Sequence, residues 1–370
     1  MIIENNTFSN FNKVCSNKRL VAFGATVFMQ VIAENYDELE LCSRVEYVVD
    51  NASDKDGAIY EICGVSKIVH SFEYLLSDDL REIVLLIGSD GYALEMLEQL
   101  QKYEMFLNVP CFCLPLMIMN RVDDTCDKIT WPKKNKIPKI IHCFWFSGDE
   151  KDELSKRCIE SWKHFCPDYE IKEWNSNNYD VTKNQYLYEA FKAAKWAYVT
   201  DYARLDMVHE YGGFYFDMDL ELIKSIDPLL GYEFVTGFGP IRDVELAAFG
   251  AVKGSDVISK IMTLYENKKF DSDKTLNLKD VQPVLMDSFM KRIGFDIDGR
   301  YQNYKGISIL PRDSFSPRNW FTGETEVKGS SFGIHHCAGG WVNRELRVKR
   351  LESLKKLIKI TNTQLELGLS

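Results

Sequence analysis

The 370-residue sequence has no apolar stretch approaching the roughly 20 residues that a bilayer crossing needs. It has no internal repeat and no low-complexity tract, which excludes solenoid and fibrous classes. Basic residues are in deficit: 45 Lys and Arg stand against 55 Asp and Glu, a formal net charge of -10. A general nucleic-acid binder needs a basic face for phosphate, so no nucleic-acid partner is expected. The opening residues, Met1 to Thr7, lack a basic start followed by an apolar run, so no secretion signal is expected. Ten cysteines are present, but none has convincing zinc spacing, Cys111 and Cys113 being too close for a knuckle. The expectation is reduced, mostly buried thiols in a cytoplasmic protein.

What is present suits a soluble globular chain of two domains, with 45% hydrophobic and 27% charged residues. Short apolar runs at Arg19–Gly24, Val45–Asp50, Ile83–Gly88 and Val109–Leu114 alternate with helical patterns. That rhythm predicts a parallel sheet flanked by helices over residues 1–121. Residues 122–137 combine aspartates, a proline and a basic run, and read as a linker. A second α/β domain is expected over 138–342. Its strands are expected at Lys139–Phe146, Tyr169–Trp174 and Phe214–Phe216, with one long helix over about Tyr186–Tyr211 stopped by Gly212 and Gly213. A basic helix is expected over 343–370.

The strand at Phe214–Phe216 delivers Asp217 and Asp219 to its end. Residues i and i+2 of a strand point the same way, so both carboxylates can face one site. Ligands of open α/β sheets bind beyond the carboxyl ends of the strands. Hard oxygen donors there suit Mn2+ or Mg2+, which complete their shells with water and substrate phosphate. Alone, Asp-x-Asp is weak, since it also occurs in solvated turns. Asp201 and Arg204, three apart on the preceding helix, share a face. They read either as an exposed ion pair or as donor-sugar contacts, Asp201 accepting from sugar hydroxyls and Arg204 reaching sugar or phosphate.

In order, Ile137-Pro-Lys-Ile-Ile-His142, Trp145-Phe146, Asp201-Tyr-Ala-Arg204 and Tyr211-Gly-Gly-Phe-Tyr-Phe-Asp-Met-Asp219 resemble the pattern of glycosyltransferase family 32. Capsular-polysaccharide and fungal mannosyltransferases belong to that family. The likeness runs from about Ile137 to Trp341. It implies a GT-A fold, a nucleotide-diphosphate-sugar donor, a divalent cation and retention of anomeric configuration. It places Asp219 on the metal, Asp217 near metal and ribose, and Asp201 and Arg204 on the donor sugar. His142, Phe144 and Trp145 would lie beside the nucleotide, with Trp145 either packed on the base or a core aromatic. Gly333-Ile-His335-His336-Cys-Ala-Gly-Gly340-Trp341 is similar to the family's closing motif. His335 would either contact metal or diphosphate or be a core histidine, and Gly340 and Trp341 would sit on a loop covering the donor. Gly340 stands where serine is usual, and Gln282-Pro283 where Gly-Pro is expected. No nucleophile is identified; Glu221 and Asp243 both stay open.

The expected fold class is therefore α/β: a GT-A-type domain preceded by a small Rossmann-like parallel-sheet domain. The activity expected is sugar transfer to a glycan acceptor, lipid-linked in one version, in surface or capsular polysaccharide assembly. A catalytically inactive nucleotide-sugar-binding protein is the alternative. In the first domain only Gly24 of three fingerprint glycines is present, so a structural or partner-binding role stands beside nucleotide binding. The C-terminal helix carries basic residues, among them Arg350, Lys355, Lys356 and Lys359. Packing on the catalytic domain and peripheral contact with an anionic cytoplasmic membrane face are both open.

Overall fold

The computed structural model describes residues 3–121, 129, 131–270, 282–319, 321–338 and 344–366. The chain divides into two compact units, residues 1–122 with 342–370, and residues 123–341.

In the first unit, β1 (Arg19–Phe23), β2 (Val45–Val49), β3 (Ile59–Ile62), β4 (Val65–His70), β5 (Ile83–Ile87) and β6 (Cys111–Cys113) form a sheet ordered β3-β4-β2-β1-β5-β6. All pairings are parallel except β3 with β4. β5 is buried along its whole length, as a central parallel strand with both faces covered should be. The β3–β4 hairpin turns at Cys63 and Gly64, both at positive φ (49° and 75°). That turn brings Cys63 to Cys42 in a disulfide. The expectation of uniformly reduced thiols is corrected here, because a link spanning 21 residues is created by the hairpin's position and not by spacing. Among the described residues the other cysteines are free and buried.

The turn after β1 is internally satisfied. Asp50 accepts from the Ala25 amide and from Lys55 Nζ, each at 2.9 Å, and Thr26 caps the helix Val27–Asn35. The C-terminal helix Arg344–Glu366 also belongs to this unit. Leu354 and Leu357 are buried, and Arg350 lies 3.2 Å from Asp90 at the start of the segment leading into helix Ala93–Gln101. By its contacts the helix groups with the first unit.

The second unit carries β7 (Ile140–Phe144), β8 (Glu170–Trp174), β9 (Gly213–Phe216), β10 (Leu220–Leu222), β11 (Phe234–Phe238), β12 (Val244–Ala251), β13 (Gln302–Tyr304), β14 (Ile307–Leu310) and β15 (Gly333–His335). Its main sheet runs β13-β14-β11-β12-β9-β7-β8, and β10 pairs with β15 separately. β12 is antiparallel to both of its neighbours. Alternation along β9 divides its aromatics: Phe214 and Phe216 enter one core cluster, Tyr215 the other. The long helix expected over Tyr186–Tyr211 is two helices, Gln185–Lys192 and Trp196–Tyr211, broken where Ala194 adopts φ 54°. Gly212 and Gly213 stop the second at φ 70° and 109°. A Cβ on Gly213 would sit 2.6 Å from the Ile140 carbonyl oxygen, so glycine lets β9 close on β7. The described end of the expected linker is packed within this unit. The Lys136 and Ile137 amides donate to Leu230 at 2.7 and 2.9 Å, and Trp131 meets Phe332 edge-on.

Candidate metal centre

The chain does not carry Asp217 and Asp219 out along a strand. β9 ends at Phe216, and the Leu220 amide donates to the Asp217 carbonyl at 2.9 Å, closing a turn. β10 follows and pairs Leu220 with His335 of β15. Turn and pairing together gather the site. One ligand atom each from Asp217, Asp219 and His335 lies within 4.8 Å of the others.

Each acid is separately held. Asp217 Oδ1 accepts from the Tyr215 hydroxyl and lies 3.4 Å from Arg204 Nη1. Burial pushes its carboxyl above the usual range, with the Arg204 charge opposing. Asp219 Oδ2 accepts from the Ala338 amide at 2.7 Å, and Oδ1 lies 3.5 Å from His335 Nε2. Burial opposes ionisation of Asp219 too, yet the His335 charge and these hydrogen bonds outweigh it and bring the carboxyl down to about 2.

Asp201 and Arg204 are buried, not an exposed pair, and stand 3.8 Å apart. Arg204 donates to the Thr200 carbonyl, the Thr200 hydroxyl and the Leu246 carbonyl, and covers the Tyr215 ring at 4.6 Å. Asp201 accepts from Tyr186, and burial raises its carboxyl to about 6 although Arg204 pulls the other way.

Two residues expected beside the nucleotide lie in the core. His142 has no exposed surface; its Nδ1 accepts from Trp174 at 3.0 Å and its Nε2 faces the Gly212 carbonyl at 2.9 Å. Burial lowers its pKa to about 4, so it is a neutral core histidine with both nitrogens used. Phe144 is likewise core, packed on Phe146, Tyr179 and Tyr215. β7 lies between β8 and β9, which is why its side chains face the core clusters. Trp145, just past β7, is half-buried and donates to the Asp149 carbonyl at 2.7 Å. Gly340 and Trp341 lie outside the described residues.

Sequence reasoning missed Glu245, Cys337 and the role of Tyr215. Glu245 Oε1 is 3.1 Å from His335 Nδ1, and its Oε2 accepts from Ser316 at 2.6 Å. A carboxylate inside the otherwise apolar run Val244–Ala251 was the available signal. Of the two acids left open, Glu221 contacts His336 at 2.8 Å and Arg157 at 3.2 Å. Burial pushes the Asp243 carboxyl up, and neighbouring Glu245 and Asp287 add to the shift.

Residues 152–235 match the family described as "Glycosyltransferase sugar-binding region containing DXD motif". Asp201, Arg204, Asp217 and Asp219 all fall inside that match. Over 124 residues, 30% of this chain and 33% of the relative, it is 29% identical to inositol phosphoceramide mannosyltransferase 3 of Schizosaccharomyces pombe. Over 147 residues, 35% of this chain and 57% of the relative, it is 30% identical to an uncharacterized glycosyltransferase of Acanthamoeba polyphaga mimivirus. The chain thus spans between 33% and 57% of the length of these relatives. Among solved structures, PaToxG glycosyltransferase aligns with TM-score 0.36 at 16% identity, over 44% of this chain and 71% of that one. A glycosyltransferase involved in glycosylation of the major capsid of PBCV-1 aligns with TM-score 0.33 at 10% identity, over 58% of this chain and 98% of that one. No helix among the described residues is long and apolar enough to cross a membrane.

Proposed function

We propose that the second unit is a retaining glycosyltransferase of GT-A type, moving a sugar from a UDP- or GDP-sugar to a hydroxyl of a glycan acceptor. The observation that carries this reading is the convergence of Asp217, Asp219 and His335 within 4.8 Å at the end of β9. Two carboxylates and one imidazole suit Mn2+ better than Mg2+, which prefers an all-oxygen shell. A divalent cation bound there would offset charge building on the departing diphosphate. The protein's own part is preorganisation. Tyr215 and Arg204 hold Asp217, and the Ala338 amide holds Asp219, so neither carboxylate must reorient when the donor arrives.

In the transfer, the bond from the anomeric carbon to the diphosphate oxygen breaks and its electron pair stays on the diphosphate. The acceptor hydroxyl oxygen bonds to that carbon and passes its proton to the diphosphate, which calls for no protein base. Trp145 is the proposed contact for the nucleotide base. Surface or capsular polysaccharide assembly on a lipid-linked acceptor is the proposed setting. Exposed Lys355 and Lys356 on the C-terminal helix support peripheral contact with an anionic membrane. For the first unit a structural or partner-binding role is proposed, since Asp50 already uses the Ala25 amide that a phosphate would take.

Screening UDP- and GDP-sugars for Mn2+-dependent hydrolysis tests the reading, beginning with a mannosyl donor because one relative is named a mannosyltransferase. Asp219→Asn is expected to abolish hydrolysis and transfer with an unchanged circular-dichroism spectrum. Near-normal turnover in that variant would refute the assignment.

A further inference from the structure

His335 offers its two ring nitrogens to two chemically different sets of donors. Nε2 faces Asp219 Oδ1 at 3.5 Å. Nδ1 lies 3.1 Å from Glu245 Oε1 and 3.5 Å from Cys337 Sγ. We propose that Glu245, His335 Nδ1 and Cys337 form a zinc site that shares its imidazole with the Asp217–Asp219 centre.

Thiolate, imidazole and carboxylate together are a zinc set, whereas Mn2+ and Mg2+ favour oxygen over sulfur. The spacing fits as well. With Zn–S near 2.3 Å and Zn–N near 2.0 Å, tetrahedral edges come to about 3.5 Å for N···S and about 3.3 Å for N···O. The observed separations are 3.5 and 3.1 Å. All three donor atoms lie within 4.8 Å of one another.

The chain holds each donor in place from a different direction. Pairing with Leu220 pins His335. Cys337 adopts φ 49°, and its sulfur lies back beside His335, 3.5 Å from Nδ1 and 3.6 Å from the carbonyl oxygen. Ser316 donates to Glu245 Oε2 and leaves Oε1 toward the imidazole. The His335 and Glu245 side chains keep 12% and 14% of their surface exposed, enough for an ion to enter with water as a fourth ligand. The plainer account is a hydrogen bond between His335 and Glu245, with the Cys337 thiol donating to the His335 carbonyl. The thiol separates the two accounts.

Zinc on Nδ1 fixes the ring proton on Nε2, so His335 would meet Asp219 as a donor and no longer as a fellow ligand. Zinc would thereby weaken Mn2+ binding at the aspartate pair. This consequence rests on the cation reading of Asp217 and Asp219; the zinc site itself does not.

Co2+ added to the full-length protein tests the proposal. The expected result is thiolate-to-cobalt charge-transfer absorption in the near ultraviolet, bleached by one equivalent of Zn2+. Cys337→Ser should remove the band, and Asp219→Asn should keep it. Glu245→Gln should weaken Zn2+ binding at least about tenfold, since even outer partners of metal ligands contribute that much. No thiolate band in the wild type, or a band surviving in Cys337→Ser, overturns the site. Should Cys337→Ser not fold, Zn2+ protection of Cys337 against iodoacetamide in the wild type, read by mass spectrometry, replaces it, and an unprotected thiol overturns the site. The free-Mn2+ paramagnetic resonance signal then reads Mn2+ affinity with and without Zn2+. Unchanged Mn2+ affinity overturns the shared imidazole. Absence of any Mn2+ binding refutes the transferase reading while the cobalt band stands.

Discussion

Arg204 Nη1 lies 3.4 Å from Asp217 Oδ1 while the same nitrogen donates to the Leu246 carbonyl at 2.9 Å. One guanidinium thus ties the helix Trp196–Tyr211 to the turn after β9 and to β12. Its positive charge sits between two acids, Asp201 and Asp217, in a place where water cannot screen it.

Removing that charge should cost more than any contact to a donor. Arg204→Ala leaves Asp201 and Asp217 uncompensated and is expected to lose about 3–5 kcal/mol in urea denaturation, the range for breaking a buried pair. Arg204→Lys restores charge without the planar fork and should fall between wild type and alanine. Adding Asp217→Asn to Arg204→Ala should recover part of the loss, because one orphaned charge is gone. An Arg204→Ala variant as stable as wild type would contradict this account.

His142 predicts an acid-side effect. Its pKa is about 4 folded against 6.5 for a free histidine. A lowered pKa in a base means the unfolded state binds the proton first. Stability from the neutral ring is therefore full above about pH 6.5 and is lost as pH falls toward 4, about 3 kcal/mol at 1.36 kcal/mol per unit. His142→Phe leaves the Trp174 indole N–H and the Gly212 carbonyl unpaired, which should cost about 2–5 kcal/mol at pH 8. The gap between variant and wild type should narrow between pH 6.5 and 4. A gap constant with pH would mean the ring does not titrate as its burial requires.

Asp201 works in the opposite sense. Its carboxyl titrates at about 6 against a usual 3.8, so its contribution is full below 3.8 and fades as pH rises through 6. Asp201→Asn keeps an acceptor for Tyr186 and removes the buried charge. Relative to wild type it should gain stability as pH rises through 6, by up to about 3 kcal/mol. Denaturant midpoints taken across pH 4 to 8 check the direction.

The same residues show how far the sequence could be read. β1, β2 and β5 are continuous apolar runs, and period and length identify them. Asp217, Asp219 and His335 were nameable because their spacing resembles a known pattern, yet the turn that gathers them depends on β10 pairing with β15, a contact between residues more than 100 positions apart. That His142 and Phe144 lie in the core was not legible, because a motif position says nothing about which strands flank it. Glu245 and Cys337 became visible only when β12 and β15 placed them around one imidazole. Pairings of that range have no local signature.

The Cys42–Cys63 link predicts a redox-dependent first unit. Closing a loop of 21 residues should stabilise it by about 3 kcal/mol through the entropy of the unfolded chain. Reduction, or paired replacement by serine, should lower the melting transition of this unit and leave donor hydrolysis by the folded second unit unchanged. Equal transitions with and without reductant would show that the loop is restrained by the β3–β4 hairpin alone.

The C-terminal helix needs a gentler probe than deletion. Deleting residues 344–370 exposes the sites of Leu354 and Leu357 and strips Asp90 of Arg350. Two buried leucines account for about 3–6 kcal/mol, so the deleted protein should lose its first unit, and any change in membrane binding would then be uninterpretable. Lys355 and Lys356 are exposed, away from Leu354 and Leu357 on the buried side. Replacing both by glutamate reverses the local charge and leaves the packing intact. If this face meets anionic lipid at about 1 kcal/mol per lysine, the double variant should sediment with phosphatidylserine vesicles at least tenfold less than wild type at low salt, with an unchanged melting transition. Equal sedimentation of the two proteins would leave the helix a purely structural part of the first unit.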